Sequence, residues 1–438
     1  MLRLPGAWSG FLESNQSGAS CLGPLAGLEK QKRQYKAAVD TLADGSRTTM
    51  VLVSRPQKAA LAEAARTGSE LAAVGVRNQR LIVNGLMPQI SSADPLAGAM
   101  ESRDWEALKT LPEELRKLPT DQVFLQPVNL VGVDALRALL GQSHGAAPAS
   151  GIALPPAVNL PSLGELTDSI EEDGHGLIMV VGKGGVGKTT IAAALAVELA
   201  GRGCDVHLTT TDPAAHIAST IEAQVDRLEI SRIDPQVETE RYRRHVLETK
   251  GKGLDAQGRA VLEEDLRSPC TEEIAIFQAF SKVIREAQRK FVFMDTAPTG
   301  HTLLLLDATG SYHRDIVRHM KGAAKVVTPM MRLQDPKQTK ILIVTLPETT
   351  PVLEAAELQE DLRRARIEPW AWVVNSSLAA AGPTDPLLAR RAQAEAEQIE
   401  KVYNELAART YIVPWAVEEP VGSARLRDLA GLAGAARN

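Results

Sequence analysis

Eight residues, Gly182-Lys183-Gly184-Gly185-Val186-Gly187-Lys188-Thr189, constrain this 438-residue chain more than any other stretch. They follow an unbroken apolar run, Leu177-Ile178-Met179-Val180-Val181, which reads as a buried strand. Ile191 to Ala200 comes next, and its spacing predicts a helix with an apolar face. Strand, glycine-rich turn and helix in that order aim backbone N–H groups and a positive helix end at phosphate oxygens. Gly182, Gly184, Gly185, Val186 and Gly187 then form the cradle. Lys188 reaches the β- and γ-phosphates of a nucleoside triphosphate, and Thr189, with Thr190 beside it, faces Mg²⁺. The expected fold is α/β, a P-loop nucleotide hydrolase with a mostly parallel, helix-covered sheet.

Two further segments complete that chemistry. Phe291-Val292-Phe293-Met294-Asp295 is a strand ending in an acid, which suits Asp295 to a water-mediated contact with Mg²⁺. Asp212 follows the strand Val206-His207-Leu208 in the segment Thr209-Thr210-Thr211-Asp212-Pro213-Ala214-Ala215-His216. Phosphoryl transfer needs an attacking water held in line, and Asp212 is placed to hold one. An Asp before Pro is equally a turn residue or a helix N-cap, and spacing does not choose between these readings.

The chain repeats itself. Met50-Val51-Leu52-Val53-Ser54-Arg55-Pro56 matches Ile341-Leu342-Ile343-Val344-Thr345-Leu346-Pro347, and Leu81-Ile82-Val83-Asn84 matches Trp372-Val373-Val374-Asn375. Pro56 and Pro347, like Asn84 and Asn375, stand 291 residues apart. A third strand ends in proline in each copy, at Pro127 and at Pro414. Apolar strands alternating with amphipathic helices mark a parallel sheet. A proline-rich break containing Pro148, Pro155, Pro156 and Pro161 separates the copies. The expected organisation is a first half at 1–143, a linker at 144–165 and a complete half at 166–438. The first half contains no counterpart of the phosphate-binding stretch.

A formal charge of −5 and 4% aromatic residues give no general attraction to nucleic acid or to an anionic membrane. Cys21, Cys204 and Cys270 form no CxxC pair, which suits a reducing compartment. No apolar run approaches the ~18 residues of a membrane span. Gly18-Ala19-Ser20-Cys21 has no apolar segment before it of the kind a lipoprotein signal requires. A cytoplasmic chain is expected.

Asp295-Thr296-Ala297-Pro298-Thr299-Gly300-His301-Thr302, the Lys183-to-Thr189 loop and Asp212-Pro213-Ala214-Ala215-His216 resemble the signature segments of the ArsA/guided-entry ATPase family. Asp265 to Glu273 and Gly18 to Pro24 resemble the arsenite-pump branch, so the resemblance spans nearly the whole chain. It implies ATP hydrolysis stimulated by As(III) or Sb(III) that energises an ArsB-like membrane permease. Any membrane association would then run through that partner. The resemblance also makes Asp212 a switch I residue, Asp295 to His301 switch II, and Asn375 an adenine contact. The second lysine of the loop, Lys183, matches the deviant Walker A lysine that crosses to a partner's nucleotide in dimeric relatives.

By the same resemblance the metalloid lies between halves, at the positions of Cys270, Ser268, His301 and Cys21. Soft As(III) and Sb(III) centres suit thiolate and imidazole. Without the family, Cys21 reads as a small buried residue, Ser268 as a helix cap and His301 as a hydrogen bonder. Cys204 matches no ligand position and reads as structural.

Two-half members of the family carry a P-loop and a switch II segment in each half, whereas the first half here has neither. The expectation is a truncated first half and weak hydrolysis by the monomer. Fuller activity would need a homodimer or a complementing N-terminal half. The alternatives are an ATPase chaperone for tail-anchored proteins, against which the missing CxxC counts, and a catalytically weak nucleotide-binding remnant.

Overall fold

The computed structural model describes residues 19–20, 23–24, 36–89, 92–141, 159–212, 217–267, 269–296 and 328–431. The chain divides into two compact units, Met1–Gln126 and Pro127–Asn438.

The first unit is built on a three-stranded parallel sheet, β1 (Met50–Ser54), β2 (Gln79–Leu86) and β3 (Thr120–Phe124), in that order. Helix α1 (Lys58–Ala73) connects β1 to β2, and α2 (Pro95–Lys109) lies between β2 and β3 in sequence. Leu52, Leu61, Leu81, Val83, Ala107 and Leu115 form its core.

The second unit opens with α3 (Leu163–Glu171), started by a reciprocal capping box between Ser162 and Glu165. Its sheet has seven parallel strands. They are β4 (Gly176–Val181), β5 (Val206–Thr210), β6 (Leu228–Arg232), β7 (Phe291–Asp295), β8 (Thr339–Thr345), β9 (Ala371–Ser377) and β10 (Thr410–Pro414). Their spatial order is β10-β9-β8-β4-β7-β5-β6. After β4 the chain moves to one side of that strand, to β5 beyond β7, and later crosses to β8 on the other. The carboxyl end of β4 is therefore a topological switch point, where open parallel sheets bind ligands.

Helix α4 (Lys188–Gly201) follows β4, and it corrects the expectation of a helix with a single apolar face. Ile191, Ala192, Ala193, Ala194, Leu195, Ala196, Val197 and Leu199 are all fully buried. Strands β4, β5 and β7 lie against it, and so do α3 and α10 (Ser423–Gly431). A helix covered all round has no reason to be amphipathic.

The 291-residue repeat holds in three dimensions. Helix α1 ends 291 residues before α7 (Thr349–Arg364) ends, and the two start at the same interval. Each is followed by a residue with positive φ, Gly75 at +98° and Arg366 at +60°. Strands β2 and β9 share a bulge, between Asn84 and Leu86 and between Val374 and Ser377. Gly85 and Ser376, in the bulges, have φ of +79° and +55°. Asp94 and Asp385 each cap a helix that begins with proline, α2 and its counterpart Pro386–Lys401. The units differ at one edge. Strand β8 pairs with β4 from Thr339↔Leu177 to Ile343↔Val181. No described strand pairs with the matching edge of β1, where Val51 and Val53 are exposed.

Candidate functional site

The site stands where β4, β5 and β7 end. Two glycines show why the loop after β4 has its sequence. At Gly182 (φ +149°) an added Cβ would meet the Val344 carbonyl oxygen at 2.4 Å. At Gly187 (φ +92°), the N-cap of α4, it would meet Asn375 Nδ2 at 2.2 Å. The loop is pressed against β8 near its start and against β9 near its end, and only glycine fits at both positions.

Asn375 ends the regular part of β9, and its side-chain N–H donates to the Val186 carbonyl at 2.9 Å. Lys188 is buried in the first turn of α4, and its ammonium donates to the Lys183 carbonyl at 2.8 Å. Burial lowers its pKa, while the Asp295 and Asp212 carboxylates pull it back up. The charge is therefore held inside the loop where phosphate oxygens would meet it.

Asp295 organises the floor. Its Oδ2 accepts from Thr189 Oγ1 at 2.8 Å and from Thr210 Oγ1 at 3.2 Å. Thr210 Oγ1 in turn accepts the Asp212 backbone N–H at 3.0 Å, and the Thr211 N–H donates to the Asp295 carbonyl at 3.0 Å. Burial pushes the Asp295 carboxyl up to about 6, against the Thr189 bond and the Lys188 charge, which lower it. Its second oxygen, Oδ1, is buried without a hydrogen-bond partner. A buried carboxylate oxygen without a partner, beside a threonine hydroxyl, offers the oxygen donors that a magnesium ion and its water take. The residues present fit that ion.

Lys183 points elsewhere. Its ammonium forms an ion pair with Glu354 on α7, and both side chains are partly exposed. Thr190 lies half-buried in the first turn of α4. Cys204 is half-buried against the core, where burial pushes its thiol pKa up, in keeping with a structural part. Cys21, Ser268, His301 and the switch II segment beyond Thr296 lie outside the described residues. Cys270 falls in the first turn of a helix at Pro269–Glu286, with its side chain outside them.

Sequence reasoning missed three participants. Glu354 as the partner of Lys183 is 171 residues away from it. Thr210, the bridge between Asp295 and Asp212, was visible only as one of three consecutive threonines. Glu395 lies at the far side of the Asn375 turn, and its one signal was an acid 291 residues after Asp104 in an alanine-rich helix.

The model of the family described as anion-transporting ATPase matches residues 8–142, 175–333 and 309–433. An arsenical pump-driving ATPase from Escherichia coli is 60% identical over 432 residues, 98% of this chain and 74% of that protein. An arsenical pump-driving ATPase from Acidiphilium multivorum is 59% identical over 432 residues, with the same shares covered. The ATPase get3 of Sclerotinia sclerotiorum is 27% identical over 299 residues, 57% of this chain and 86% of that protein. No helix among the described residues is long and apolar enough to cross a membrane.

Proposed function

The chain belongs to the anion-transporting ATPase family and is an ATPase, and we propose that trivalent arsenic or antimony stimulates its hydrolysis of ATP to energise efflux through an ArsB-like membrane permease. The observation that carries the catalytic part is Asp295, which ties Thr189 to Thr210 through one oxygen and leaves the other buried and unpaired.

The proposed roles follow from that arrangement. The backbone N–H groups of Gly184, Gly185, Val186 and Gly187 receive phosphate oxygens at the start of α4. Lys188 exchanges the Lys183 carbonyl for the β- and γ-phosphates. Thr189 would ligate Mg²⁺ directly and Asp295 through water, and the ion would supply neutralisation of phosphate charge there. Asp212, tethered to Thr210, orients the attacking water. Asn375 braces the loop through the Val186 carbonyl, and its proposed further role is to contact adenine.

Lys183 is proposed to reach the nucleotide of a second copy or of a complementing N-terminal half, leaving Glu354 when it does. That exchange costs little, because an exposed ion pair contributes about 0–1 kcal/mol. Cys270, Cys21, His301 and Ser268 are the proposed ligands for As(III) or Sb(III), on the chemistry of soft donors. The protein would work in the cytoplasm, meeting the membrane through its permease partner. The targeting alternative is disfavoured, since the relative named ATPase get3 is far less similar than the arsenical pump-driving ATPases.

The test is ATP hydrolysis with and without antimonite, in the wild type and in Cys270→Ala. Stimulation in the wild type and its loss in the variant, with basal turnover kept, is the expected result. Hydrolysis indifferent to the metalloid in both proteins would remove the pump assignment while leaving the ATPase in place.

A further inference from the structure

We propose that Glu395 is a positioning residue for the nucleotide site: its carboxylate fixes the turn after β9 and so holds Asn375 against the phosphate loop. The inference rests on the reading of Gly182–Thr189 as the nucleotide site.

Glu395 lies buried in the helix Pro386–Lys401, next to the end of β9. Its Oε2 accepts the Ser377 hydroxyl at 2.9 Å and the Ala379 N–H at 2.9 Å, and the carboxylate also accepts the Leu378 N–H. Charge-assisted bonds of this kind are roughly twice as strong as neutral ones. Arg391, one turn back on the same helix and paired with Glu348, contributes its charge from further off.

What these bonds hold is a strained turn. Ser376 sits in the left-handed region at φ +55°, inside the bulge that interrupts the pairing of β9 with β10. A non-glycine residue there is strained and persists only when its surroundings fix it. It is fixed from three sides. Ser377 and its two successors bond to Glu395, the Ser377 carbonyl accepts the Trp415 N–H at 2.9 Å, and Asn375 donates to Val186 at 2.9 Å. Three residues, Asn375 to Ser377, therefore link the carboxylate to the loop.

The first unit contains the same device without the site. Asp104 stands 291 residues before Glu395, and its Oδ2 accepts the N–H of Met87, which stands 291 residues before Leu378. Gly85 takes the left-handed place of Ser376. Asn84, the counterpart of Asn375, is exposed. The acid and the bulge thus belong to the repeat, and only in the second unit does the asparagine between them meet a phosphate loop.

The test compares Glu395→Leu, Glu395→Gln and Asp104→Leu in the full chain by titration with a fluorescent ADP analogue and by steady-state kinetics. Glu395→Leu should bind the analogue roughly two- to thirtyfold more weakly, the range expected for coupling through one structural link. KM for MgATP should rise by a similar factor, with kcat within about twofold. Glu395→Gln, whose amide oxygen can take the place of the accepting carboxylate oxygen, should recover most of the affinity. Asp104→Leu should match the wild type in affinity even where its melting temperature falls. If Glu395→Leu does not fold, Ser377→Ala removes one donor and should weaken binding by roughly two- to threefold. Unchanged affinity in Glu395→Leu, or in Ser377→Ala where that is the variant measured, overturns the inference. Equal losses in Glu395→Leu and Asp104→Leu overturn it too, because they would report general destabilisation. A wild type that does not bind the analogue removes the nucleotide-site reading itself, and the inference with it.

Discussion

Thr189 donates its hydroxyl to Asp295 Oδ2 across 2.8 Å, joining the first turn of α4 to the end of β7. The two residues are 106 apart in sequence and meet because β4 and β7 pair in register from Gly176↔Phe291 to Val180↔Asp295. One strand alignment therefore sets the floor of the site.

Asp295→Asn should separate stability from catalysis. The amide keeps the shape of the carboxyl, so the contacts to Thr189 and Thr210 can survive. It removes a carboxylate whose pKa burial has pushed up to about 6. Hydrolysis is expected to fall by at least about 100-fold, since groups that hold a catalytic ion are worth several kcal/mol. The melting temperature of the nucleotide-free protein at pH 8 should be unchanged or higher. A drop of more than a few degrees would show that the buried charge stabilises the fold.

Gly187→Ala tests the close approach of Asn375. The added methyl carries both a clash with Nδ2 and the penalty of positive φ. Nucleotide affinity should be lost in the single variant. Gly187→Ala combined with Asn375→Ala relieves the clash but keeps the positive-φ penalty and removes the Asn375 brace, so recovery should be partial. Full recovery would mean that the backbone conformation at residue 187 is not strained.

Lys183 and Glu354 should contribute little to the folded state. Glu354→Gln is expected to change stability by less than about 1 kcal/mol, with the difference shrinking in high salt. If Lys183 serves a neighbouring nucleotide, Lys183→Ala lowers kcat while Glu354→Gln leaves it equal or raised. Equal loss in both variants would tie the pair to its own loop.

Glu395 gives a pH signature. Its carboxyl is pushed up to about 7 by burial, against the pull of the Ala379 and Leu378 N–H groups, Ser377 and Arg391. The folded protein thus binds this proton more tightly than the unfolded chain does. The resulting stabilisation is full below the ordinary glutamate range and is lost as pH rises through about 7. Its size is at most on the order of 3 kcal/mol. Between pH 5 and 8 the wild type should therefore lose more thermal stability than Glu395→Gln. Parallel curves would contradict the assignment.

The parts legible in the sequence were those that local order dictates. The loop from Gly182 to Thr189, the acid ending Phe291–Asp295 and the 291-residue repeat need only strand, turn and helix periodicity to be read. The all-round burial of α4 was not legible, because it depends on α3 and α10 covering the side that the sheet leaves open. Nor were the bonds from Lys183 to Glu354 and from Glu395 to the Ser377 turn. Those pairings join separate elements, and neither residue type announces a partner. The metalloid ligands rest on the family resemblance and on donor chemistry.

Steady-state hydrolysis of MgATP by the purified chain, set beside Lys188→Ala, tests most directly the claim that the loop and Asp295 form a working hydrolytic site. Phosphate release in the wild type that falls by at least about 100-fold in Lys188→Ala, with the fold intact, is the predicted result. Equal phosphate release from the two proteins would contradict it.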